Sequence, residues 1–87
     1  MSANIMFLTL ARKLSQRMSI DDRYLSLSLI LSVSYKGSLF ELNQRVKDLL
    51  ARSDLGREEF IFKLEKILFN DNTNSNLRSK FDSIVNL

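Results

Sequence analysis

The sequence predicts an all-α protein, a compact bundle of four to five short helices in which residues 1–87 form a single helical domain. Three observations lead there. The chain has no proline, so nothing in it interrupts a helix from within. It has only two glycines, Gly37 and Gly56, so tight β-hairpin turns would lack their usual residues. Apolar side chains also recur three and four positions apart through most of the chain, as they do on one face of a helix. Hydrophobic residues at 45% and charged residues at 26% suit a folded core rather than a disordered chain. A chain of this length buries roughly 60–65% of its extended surface and has no room for a second core.

The first helix is expected at about residues 3–17, where Phe7, Leu10, Ala11, Leu14 and Met18 share a face and Thr9, Arg12, Lys13 and Gln16 lie opposite. Ile5, Met6 and Leu8 depart from this division, which predicts a first turn embedded in the core or in a partner. Ser19 with Asp22 three residues on forms a capping-box pattern, so a second helix should open there.

Residues 24–35 are ambiguous taken alone. Leu25, Leu27, Leu29, Leu31 and Val33 alternate with serines in the rhythm of a strand. Helix is the better reading, because a strand here has only one plausible hairpin partner and an isolated hairpin is marginal. As a helix the segment carries two apolar stripes. Ile20, Tyr24, Leu27 and Leu31 form one, and Leu25, Leu29 and Val33 form another on roughly the opposite side, which places the helix in the middle of the bundle.

Gly37 is positioned to end this helix, and Ser38 with Glu41 makes a second capping box. The third helix then presents Leu39, Leu42, Val46, Leu49 and Leu50 on one narrow face, opposite Glu41, Gln44, Arg45, Asp48 and Arg52. Ser53 or Asp54 is expected to cap a fourth helix reaching about Asn70, with Phe60, Ile61, Leu64, Ile67 and Leu68 toward the core. Leu55, Phe62 and Phe69, seven residues apart, form a second stripe on that helix and the candidate partner-binding surface. A polar loop over 70–76 precedes a short last helix built on Leu77, Phe81, Ile84 and Val85. No repeat or linker divides the chain.

The chain has no Cys and no His, which excludes disulfides, thiolate chemistry, the usual zinc sites and imidazole catalysis. Asp21-Asp22 and Glu58-Glu59 are adjacent acids at helix starts, where the helix dipole accounts for them without catalysis. Residues 71–82 match a calcium loop poorly: Asn76 replaces the turn glycine and Asp82 the usual glutamate. No cofactor, metal or enzymatic activity is therefore expected.

Charge is unevenly placed. The first eighteen residues hold Arg12, Lys13 and Arg17 and no acid, while ten basic and ten acidic residues balance over the rest. The three cations are the candidate contact for an anionic partner. Their basic, amphipathic setting has the composition of a mitochondrial transit peptide, but the core-facing stripe marks an integral first helix. The N-terminus lacks the pattern of a secretory signal, and no apolar run reaches the roughly 20 residues of a membrane span.

These features lead to a small non-enzymatic module, an adaptor or regulator in the cytoplasm that binds another protein or a second copy of itself as a homodimer. Two other readings follow from the basic first helix. One is a nucleic-acid-binding regulator, for which residues 43–68 offer a helix-turn-helix spacing that Glu58 and Glu59 spoil by repelling phosphates. The other is weak association with an anionic membrane surface.

Overall fold

The computed structural model describes residues 3–20, 24–35, 38–69 and 75–86. They form five helices: α1 (Ala3–Met18), α2 (Tyr24–Ser34), α3 (Leu39–Leu50), α4 (Arg57–Phe69) and α5 (Ser75–Val85), with no strand among the described residues. The all-α expectation holds, with the alternating segment 24–35 helical. Its four core-facing residues, Leu27, Ile30, Leu31 and Ser34, are spaced three, one and three apart, the period of a helix rather than the two of a strand.

α1 and α2 form the most extensive helix pair, α5 rests on α2, α3 packs on α4, and α1 also touches both α3 and α4. The radius of gyration is 11.8 Å, close to the roughly 12 Å of a compact chain this long. Extents of 30 × 28 × 26 Å show helices crossing around one core rather than lying side by side in a long bundle. Phe60, Phe69, Phe81, Leu14, Met18, Leu42 and Leu64 are fully buried there. Phe69 and Phe81 meet edge to face, 5.8 Å between ring centres and 71° between planes, and so fasten the end of α4 to α5.

Ser19 does not open the second helix. It ends the first, in the left-handed region at φ 57°. Its N–H donates to the Gln16 carbonyl (3.4 Å) and the Ile20 N–H donates to the Ser15 carbonyl (3.1 Å), the pair of bonds that closes a helix in a Schellman turn. Ile20 is buried just beyond, supplying the apolar contact that accompanies such turns. Serine is strained at this backbone position, whereas glycine is not. Ser19→Gly is accordingly expected to raise stability by about 0.5–1 kcal/mol, or about 3–6 °C in a thermal melt followed by circular dichroism. The Asp22 half of the expected box, and Gly37, lie outside the described residues.

The box at Ser38 forms on one side: the Glu41 N–H donates to Ser38 Oγ at 3.1 Å, while the Glu41 carboxylate pairs with Arg45 at 2.9 Å. α4 begins three residues later than Asp54, with the Phe60 N–H donating to the Gly56 carbonyl at 2.9 Å. Asp54 pairs instead with Arg52 at 2.7 Å, and that hydrogen bond holds its carboxyl below the ordinary range. Residues 53–54 form a turn, so the helix runs from Arg57 to Phe69.

Two guanidinium groups tie the helix ends together. Arg57 donates through Nε to the Met18 carbonyl at 2.8 Å and through Nη2 to the Val85 carbonyl, so one cation serves the last carbonyls of both α1 and α5. Arg17 donates through Nη2 to the Leu55 carbonyl at 2.6 Å, with its guanidinium 4.7 Å from the centre of the Phe60 ring.

Candidate functional site: the outer face of α2

α2 contains no charged residue. Leu27, Ile30, Leu31 and Ser34 point into the core, and no helix among the described residues covers the side opposite them. Leu25, Leu29 and Val33 stand there one above another, at 62, 64 and 52% exposure. The stripe therefore exists where the residue spacing places it, but α2 is not enclosed in the middle of the bundle. Although α1 and α5 flank it, three large aliphatic side chains face outward over about two turns. Scattered exposed aliphatics are ordinary, whereas a contiguous row on one helix marks a surface that another molecule can cover.

The serines keep this face apolar and low. Ser32 turns its hydroxyl back onto the Leu29 carbonyl at 2.8 Å, so its polar group is satisfied within the helix. Beside the stripe, an open groove of about 430 Å³ lies between α2 and α5. Its apolar lining is Leu29, Ile30 and Ile84, with the short side chains of Ser26, Ser79 and Ser83 beside them and Lys80 as the one charged group among the described residues along it. Leu29 belongs to both groove and stripe, making them one surface. The sequence reading did not single out Ser79, Lys80 or Ser83. They occupy the polar flank of α5, and only the docking of α5 on α2 gives that flank a neighbour.

The other flank of α5 faces α4. Burial, followed by a hydrogen bond to Asp82 and the charge of Asp82, raises the Glu65 carboxyl above its ordinary value of 4.5, and Arg78 offsets part of this. A carboxyl raised in the folded state binds its proton more tightly there than in the unfolded chain. Its contribution to stability is complete below the ordinary value and is lost as pH rises through the folded one. Glu65→Gln should therefore raise stability at pH 7 by about 0.5 kcal/mol for so solvated a pair, and flatten the part of the decline that sets in as pH rises above the ordinary value of 4.5, as urea unfolding at each pH would show.

The proposed stripe on α4 does not form one exposed surface. Leu55 is 6% exposed and precedes the helix, so the seven-residue spacing does not carry it onto the Phe62 face. Phe69 is 1% exposed because Phe81 covers it. Only Phe62 faces outward, at 55%, with the Lys66 ammonium 4.7 Å from its ring centre. Phe40, at 78%, is the most exposed aromatic among the described residues.

The three N-terminal cations also separate. Arg12 and Lys13 are exposed on α1, but Arg17 is committed to Leu55 and Phe60 inside the fold. At the start of α4, Arg57 turns back to the helix ends, leaving Glu58 and Glu59 exposed where a recognition helix would need positive charge. Of residues 71–82, a poor match to a calcium loop, 71–74 lie outside the described residues and 75–82 belong to α5. No helix among the described residues is long and apolar enough to cross a membrane. No protein-family model, curated protein or solved structure matches the chain.

Proposed function

We propose that the protein is a small non-catalytic interaction module, an adaptor or regulator, and that its working surface is the outer face of α2 with the adjoining groove. The observation that carries this reading is the row Leu25, Leu29 and Val33, exposed over about two turns of a helix without charge. Covering such a row removes apolar area from water, and a helix backbone with serines on either side admits close approach. The inventory of side chains points the same way, since imidazole and thiolate chemistry are absent.

A photo-crosslinking amino acid placed at position 25 in the living cell tests this, with position 44 on the exposed polar face of α3 as its control. The expected result is a discrete adduct at 25 and none at 44. A product of twice the 10.1 kDa chain mass would identify a second copy, and any other mass a different protein. Equal labelling at both positions, or none at 25, would contradict the reading.

A further inference from the structure

Resting on the interaction-module reading, we propose that the groove between α2 and α5 receives an amphipathic helix of another protein, and that this helix carries a carboxylate beside its apolar ridge to meet Lys80. The shape of the site selects a helix. Leu25 to Val33 spans about 12 Å, two turns and a little more, and the apolar floor beside it is open along its side. Apolar side chains spaced three and four apart on an incoming helix would seat on Leu29, Ile30 and Ile84. The serine walls leave room for its backbone.

Charge selects the partner. Among the described residues, Lys80 has no ion pair and no acid lines the groove. Asp82, the acid nearest in sequence on α5, lies on the opposite flank with Glu65, since two residues turn a helix by about 200°. A symmetric α2-to-α2 pairing with a second copy of this chain is a poor fit, because α2 brings no carboxylate and leaves Lys80 unmatched in both copies. An anionic membrane is also poorly matched, because stable attachment takes a cluster of cations around the apolar residues and this groove supplies one. An acidic-flanked helix satisfies the floor and the lysine together.

Two synthetic helical peptides test the inference. They share one leucine ridge and differ only in flanking residues, Glu in one and Lys in the other, and each is titrated into the full chain at low salt while backbone amide shifts are recorded. The Glu peptide is expected to bind at least about tenfold tighter and to shift Leu29, Ser83 and Ile84, with the preference shrinking as salt rises. Lys80→Glu should reverse the order, Lys80→Gln should remove the preference, and circular dichroism should show both variants folded. Equal affinities would overturn the inference while leaving the interaction module standing. So would tighter binding to phosphatidylserine vesicles than to the Glu peptide, or shifts lying outside the groove. If crosslinking at position 25 yields only a second copy of the chain, the partner assignment fails. If it yields no adduct, the module reading itself fails.

Discussion

Replacing Phe81 by alanine is expected to cost about 3–5 kcal/mol, the price of an emptied aromatic site in a packed core, and to lower the melting temperature by at least about 15 °C. Phe81 is fully buried and supplies the edge-to-face contact with Phe69. It has few substitutes, because α5 buries only Phe81, Ile84 and Val85 and is held at its end by Arg57. A chain of this size has a net stability of about 4–13 kcal/mol, so the loss is a large fraction of the total. Circular dichroism melts of wild type and Phe81→Ala measure it. A change below about 1 kcal/mol would mean that α5 is not docked as described. Since α5 also forms one wall of the groove, the variant should lose binding there along with stability.

Leu29→Asp is expected to do the reverse, leaving the fold and removing the association. Leu29 is 64% exposed, so its replacement removes little core packing, and the expected change in stability is within about 1 kcal/mol. It is also the central residue of the stripe and part of the groove floor. A carboxylate there would be buried without a partner once the surface is covered, and it would repel an acidic flank. Loss of such a central apolar anchor is worth about 2 kcal/mol or more, or at least about thirtyfold in affinity. Titration calorimetry with the partner recovered through position 25 reads this directly. Phe62→Glu, outside the stripe, should change that affinity less than about threefold. Comparable losses in both variants would move the working surface away from α2.

The elements were legible wherever burial followed helical period. α3 shows this best: Leu42, Val46 and Leu49 are buried and the expected charged side is exposed. The two apolar sides of α2 were equally visible as a pattern. What that pattern does not contain is whether the second side meets another helix or water, because this depends on how many helices reach α2. For the same reason the heptad of Leu55, Phe62 and Phe69 misled: spacing defines a stripe only within one helix, and α4 begins after Leu55. A leucine outside the helix and a phenylalanine at its last turn both found cover in the core.

Charged side chains were least legible. Arg12, Lys13 and Arg17 look alike in sequence, yet Arg17 reaches a carbonyl 38 positions away, and Arg57 reaches carbonyls 39 and 28 positions away. Long-range pairings of this kind have no local signature. Ser19 illustrates a different limit. A serine followed by an acid reads as a helix start, but the same residue in a left-handed turn ends the preceding helix, and the glycine that would have announced this is absent.

Hydroxyl-radical footprinting of the purified chain tests most directly whether the fold leaves one side of α2 uncovered. The structure predicts rapid oxidation of Leu25, Leu29 and Val33 together with protection of Leu27 and Leu31, residues that alternate along the same helix. In the complex with the partner, the first three should become protected as well. Protection of Leu25, Leu29 and Val33 in the isolated monomer, or oxidation of all five leucine and valine positions alike, would contradict the account.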